Sequence, residues 1–164
     1  MPSNATPHII LIDGRSGAGK TTLADEITES LGATVVHLDD VYPGWGGLVE
    51  GRNRVIDDVI RPIRSGNPGH LVTWDWVRNE PGVGRSVAPA EIVIVEGCGI
   101  STPESRLLAD TCIWVDAPTE VRVARVAQRD GIATLEHFEA WERDVETHVA
   151  DNDPIATASV VVTR

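Results

Sequence analysis

Positive charge is scarce in this sequence. Fourteen Lys and Arg face 25 Asp and Glu, for a formal net charge of −11. That balance excludes bulk attraction to nucleic acid or to an acidic membrane face, while leaving room for a local basic pocket. Lysine is nearly absent: Lys20 is the only one, and every other basic side chain is an arginine. Cysteine is limited to Cys98 and Cys112, both in or beside apolar stretches, as expected of two buried thiols in a reducing compartment. No Cys/His spacing suggests a zinc site. No apolar run approaches the ~20 residues that cross a bilayer. The N-terminal MPSNATPH has no basic stretch leading into an apolar one, so no signal peptide is expected and the cytoplasm is the expected location.

What is present is an ordinary globular composition, 41% hydrophobic and 24% charged over 164 residues. One domain, 1–164, is expected, without repeats or linkers. Residues 8–12, HIILI, predict a buried strand that ends at Asp13-Gly14. From Lys20 the pattern turns helical, with Leu23, Ile27 and Leu31 in step and Gly32 placed to end the helix. Further strands are expected at 34–38, 92–96, 111–115 and 158–163, with 71–77 a weaker candidate. Helices are expected at 48–63, where Pro62 should end or kink the helix, and at 105–109, 119–129 and 134–150. Residues 79–86 read as a flexible connection. Continuously apolar strands separated by helices predict an α/β fold: a three-layer α/β/α sandwich around a parallel sheet. Functional groups are expected at the carboxyl ends of its strands, where Asp13, Asp39, Asp40, Glu96 and Asp116 fall.

Gly14, Gly19, Lys20 and Thr21 fit the pattern G-x-x-x-x-G-K-[ST], and a strand precedes it while a helix follows. In a P-loop the segment Gly14, Arg15, Ser16, Gly17, Ala18, Gly19, Lys20, Thr21 and Thr22 turns backbone N–H groups toward phosphate oxygens. A compact ammonium reaches between phosphates where a planar guanidinium fits less well, which accounts for the solitary lysine. The Thr21 hydroxyl is placed for Mg²⁺. A switch GTPase is excluded, because guanine recognition by N-K-x-D needs a second lysine. No transporter signature of the L-S-G-G-Q type occurs. A small-molecule kinase using ATP and Mg²⁺ remains.

The segments GRSGAGKTT, HLDDVY, TWDW, IVIVEG and DAPTEVRVARVAQRD occur in the order found in uridine kinase-like P-loop kinases, which the chain resembles over nearly its whole length. The resemblance implies a P-loop NTPase fold with five parallel strands in the order 2-3-1-4-5, and a lid at about 122–133. Asp39, Val41 and Tyr42 match the family's D-x-[FV]-Y, in which the Asp takes the proton of the attacking hydroxyl. One carboxylate near the acceptor suffices for a loose transition state; the alternative is that Asp39 and Asp40 cap the next segment. Asp40 is a candidate ligand of a Mg²⁺-bound water. Glu96 corresponds to an acidic residue that holds such a water or the acceptor, with a plain strand-end carboxylate as the alternative. Arg122, Arg125 and Arg129 share one helical face and match the lid pattern, where they would neutralise charge on the transferred group; a solvated basic face is the alternative. Trp74, Asp75 and Trp76 resemble the segment that contacts the acceptor nucleoside, with Trp45 and Arg78 completing the pocket; the alternative is that the tryptophans pack in the core or at the rim.

The segment after Tyr42 is shorter than in the family, and Gly131-Ile132-Ala133 makes a compact lid. The expected acceptor is therefore a small molecule: a nucleoside first, then a nucleotide or another hydroxyl metabolite. A non-catalytic nucleotide-binding module is the competing reading. Oligomeric state is not legible.

Overall fold

Alternation along the first strand assigns its side chains to two layers. A computed structural model describes residues 6–164, so the N-terminal stretch read for a signal peptide lies largely outside the described residues. In β1 (His8–Gly14), Ile9 and Leu11 join one apolar cluster and Ile10 and Ile12 another, because successive side chains leave a strand on opposite faces. Helix α1 (Lys20–Leu31) covers the second cluster with Ala24, Leu23 and Ile27. Residues of α2 (Leu48–Val55), and Trp141 and Val145 of a later helix, cover the first.

The remaining strands of the main sheet are β2 (Thr34–His37), β5 (Ile92–Glu96), β6 (Thr111–Asp116) and β7 (Val160–Thr163). All pair in parallel, in the order β2-β5-β1-β6-β7. Numbered within the sheet alone this is 2-3-1-4-5, the expected order. Register brings His37 opposite Glu96 and Gly14 opposite Val115.

Three local features differ from the sequence-based expectation. The stretch 79–86 is no loose connection: β3 (Gly69–Asp75) and β4 (Glu80–Val87) form an antiparallel hairpin outside the main sheet. Its exposed residues alternate too weakly, and Pro81, Gly82 and Gly84 obscure the pattern. Pro62 does not end its helix. After α2 the backbone widens to a π-helical stretch, Ile56–Ile60, and continues as α3 (Arg61–Arg64); the widening lies directly before Pro62, whose ring and missing N–H do not fit an ordinary i→i−4 ladder. The second strand stops one residue short of the expected 34–38: Leu38 already belongs to a 3₁₀ turn, Leu38–Asp40, which carries Asp39 and Asp40 just beyond the carboxyl end of β2, their expected place.

The other helices are α4 (Pro103–Leu108), started by a Thr102/Ser105 capping box, α5 (Thr119–Asp130) and α6 (Leu135–Asn152). The stretch expected as a lid, 122–133, is the C-terminal part of α5 and the following Gly131 turn. No helix among the described residues is long and apolar enough to cross a membrane.

Candidate active site

Between β1 and α1 the chain runs so close to its neighbours that glycine is required. A Cβ on Gly14 would lie 2.3 Å from the Val115 carbonyl oxygen, and one on Gly17, at φ +76°, 2.4 Å from that of Arg122. Helix α1 opens with a left-handed Gly19, no side-chain cap and no acidic residue in its first turn. Its first N–H groups and positive dipole end thus face a cleft, the setting in which helix termini take phosphate.

The cleft encloses about 1020 Å³. Ser16, Gly17, Gly19, Lys20, Thr21 and Thr22 form one end. Gly14, Ala18 and Arg15 stand behind it: Ala18 is buried, and Arg15 pairs with Glu146 at 2.5 Å. Lys20 is buried, its Nζ donating to the Arg15 carbonyl at 2.9 Å and lying 3.5 Å from Cys98 Sγ. Burial works against its charge, but Cys98 and the carboxylates of Glu96, Asp39 and Asp13 outweigh that and raise its pKa.

Glu96, from β5, forms the floor with His37 and Cys98. Its Oε1 accepts the Thr21 hydroxyl at 3.0 Å and lies 2.6 Å from His37 Nδ1. Burial opposes the Glu96 charge, yet the His37 bond, Lys20 and Thr21 hold the carboxyl below its usual range. The same bond raises His37. The Thr21 and Glu96 oxygens form a hard pair suited to a small divalent cation that shares its shell with phosphate oxygens. Among the described residues no cluster of three His, Cys, Asp or Glu could hold a metal alone.

Asp39, Asp40, Tyr42, Trp45, Trp76 and Trp141 form the opposite end. Asp39 is open to the cleft but walled by protein on most sides. That crowding raises its carboxyl, Lys20 pulls it back, and Glu96 adds to the rise. Tyr42 is buried and donates its hydroxyl to the Cys98 carbonyl at 2.7 Å. Trp45 stacks on His137 at 4.9 Å and contacts Trp76 at 5.1 Å and Trp141 edge-on at 6.1 Å. The hairpin reaches this wall through Trp76, whose Nε1 donates to the Asp39 carbonyl at 2.9 Å, and through Arg85, 3.5 Å from Asp40.

Arg125 and Arg129 line the cleft from α5, Arg125 donating to the Gly17 carbonyl at 3.1 Å and Arg129 paired with Asp130. Arg122 does not line it: buried, it holds Glu142 with two bonds of 3.0 and 3.1 Å and the Ser16 carbonyl at 3.1 Å, so it braces the P-loop from behind. Trp74, Asp75 and Arg78 are not among the lining residues either. Asp75 caps the hairpin turn at the Val77 and Arg78 amides, and Arg78 is exposed beside Glu80. The half-turn between Trp74 and Trp76 sends the second ring to the cleft instead.

Sequence reasoning missed His37, Cys98 and Trp141. His37 could have been found from the strand order, since it and Glu96 both end neighbouring parallel strands. Trp141 carried no local signal: it packs in the core and presents an edge to the cleft.

Residues 1–42 match the Zeta toxin family. The chain is 30% identical to a uridine kinase of Staphylococcus carnosus, over 89% of this chain and 77% of that protein. It is 28% identical to a uridine kinase of Borreliella burgdorferi, over 74% of this chain, and spans 66% of that relative's length. A solved structure described as a possible uridine kinase from Bacillus stearothermophilus superposes with a TM-score of 0.69 at 20% identity, covering 98% of this chain and 90% of that one, and shows the shared fold. Strand order, phosphate cradle and overall likeness agree: the chain belongs to the uridine kinase-like family of P-loop kinases.

Proposed function

We propose that this protein transfers the γ-phosphoryl group of MgATP to a hydroxyl of a small, uncharged, ring-bearing molecule, a nucleoside first of all. The observation that carries this reading is one cleft with an ammonium and helix N-terminus at one end and a carboxylate beneath aromatic rings at the other. The amides of residues 16–22 and Lys20 hold the donor phosphates. Thr21 and Glu96 are the residues that would hold Mg²⁺, which supplies charge neutralisation on the phosphates when bound, while Asp40 stands on the far wall beside Arg85. Asp39 orients the acceptor hydroxyl and takes its proton, and its raised pKa suits it to that task. Arg125 and Arg129 offset charge on the group in transit.

The acceptor's character follows from the far wall. Its charged lining side chains are the carboxylates Asp39 and Asp40, with Arg85 behind Asp40 at 3.5 Å, while the cations lining the cleft, Lys20, Arg125 and Arg129, stand on the P-loop and α5. An acceptor carrying phosphate or carboxylate meets like charge there, whereas a flat neutral ring meets Trp45, Trp76 and Trp141. Uridine and cytidine should therefore support ADP formation and give a phosphorylated product by mass spectrometry. Their monophosphates and shikimate should be turned over at least about tenfold less efficiently. MgATP uptake without consumption in the presence of any acceptor would overturn transfer and favour the non-catalytic binding module.

A further inference from the structure

Asp13 closes β1 immediately before the P-loop, and its carboxylate is only 1% exposed. Four donors saturate it. Oδ1 accepts the N–H groups of Gly14 at 2.7 Å and Gly99 at 2.9 Å. Oδ2 accepts the N–H of Ser101 at 2.9 Å and lies 2.8 Å from His148 Nε2, on α6. His148 is itself buried. Its other nitrogen identifies the tautomer. Nδ1 lies 3.2 Å from Arg52 Nη1 and 3.1 Å from Asn152 Nδ2. A guanidinium can only donate, so Nδ1 accepts and the proton sits on Nε2, aimed at Asp13.

A one-way chain of donors thus runs from Arg52 of α2, through His148 of α6, to Asp13. Asp13 in turn fixes the peptide that opens the phosphate cradle and the Gly99–Ser101 turn. That turn follows Cys98, whose sulfur meets Lys20 and whose carbonyl meets Tyr42. Neither Asp13 nor His148 touches the cleft, and the proposed transfer step uses neither. Stability alone does not call for a charge here, since a buried ionic group commonly holds no advantage over a well-packed apolar one. Its four bonds instead orient backbone at both edges of the cradle.

We infer that His148 is a positioning residue for the phosphate cradle: through Asp13 it sets the peptide planes of Gly14 and of the Gly99–Ser101 turn, and so the geometry presented to the donor phosphates. This rests on the phosphotransferase reading. Calorimetric titration with MgATP, alongside kinetics with uridine, tests it on wild type, His148→Leu, His148→Gln and Arg52→Leu. His148→Leu should bind MgATP about tenfold more weakly with little change in the uridine KM, the loss expected for one hydrogen bond to a charged group. His148→Gln, whose amide donates toward Asp13 and accepts from Arg52, should recover most of that loss. Arg52→Leu, at the partly exposed outer end, should weaken MgATP about threefold, because it removes the charged one of the two donors that hold the tautomer and leaves only Asn152.

A folded His148→Leu variant that binds MgATP as wild type does would overturn the inference. So would equal impairment of the Leu and Gln variants, which marks a packing role only. If His148→Leu does not fold, Arg52→Leu decides, and unchanged MgATP affinity there overturns the inference. Absence of MgATP uptake by wild type overturns the phosphotransferase reading and this inference with it.

Discussion

At the donor end of the cleft the backbone is pinned from behind, whereas the acceptor end is a stack of rings carried on a loop, a hairpin tip and one helix. Arg122 with Glu142 braces Ser16, Arg15 reaches Glu146, and His148 with Asp13 braces Gly14. Trp45 and Trp76, by contrast, are held by each other, by His137 and Trp141 and by one bond to the Asp39 carbonyl. Phosphates present the same charged surface to every kinase of this kind, so a preorganised cradle serves them. The rings offer flat faces for stacking in place of fixed charges. Mutations at the two ends should accordingly fail in different ways.

Lys20→Ala is the sharpest break. It removes the ammonium from the cradle and should lower turnover by about 10³-fold, with weakened MgATP binding by calorimetry. Near-normal turnover would place the phosphates elsewhere. Asp39→Asn should lower kcat by roughly 10²-fold or more while MgATP affinity stays, because it removes only the proton acceptor.

The pH profile sharpens the same point. In the proposed transfer Asp39 acts as the carboxylate, and the protein walls around it, together with Glu96, raise its pKa. Activity should be full above that pKa and fall as pH drops through it, so the acid limb of kcat/KM lies above the ordinary aspartate range. A limb at the ordinary value would show that another group governs the rate.

Arg129→Ala should lower kcat by about tenfold with a smaller effect on MgATP affinity, since among the described residues Arg129 pairs with the adjacent Asp130 alone and can turn toward transferred charge. Trp45→Leu should raise the nucleoside KM about tenfold, the scale of one lost stacking contact, and leave MgATP binding alone. Equal loss at both ends from either variant would erase the contrast drawn here.

Much of this was legible in the order of residues. The glycine spacing, the solitary lysine and the acidic residues at strand ends are local patterns, and local patterns survive without knowledge of the fold. The hairpin was half legible: TWDW reads as a strand, but 80–87 is exposed and glycine-rich, so no hydrophobic alternation marks it. Arg122 shows a different limit. Its spacing with Arg125 and Arg129 is helical and correct, yet spacing reports a shared face and not what that face meets. Arg122 meets Glu142, and Arg125 and Arg129 meet the cleft.

The sequence by itself determined the parallel α/β sheet, the glycine-rich turn between β1 and α1, and the candidates Lys20, Thr21, Asp39 and Glu96. Each rests on periodicity or on a motif of neighbouring residues. Only the tertiary structure decided that Trp76 rather than Trp74 faces the cleft, that Trp141 and His37 join it, and that a histidine 135 positions away from Asp13 completes its hydrogen bonding. Those pairings depend on how α6 and the hairpin dock against the sheet. Docking is set by the sum of many weak apolar contacts, which no short stretch of chain encodes.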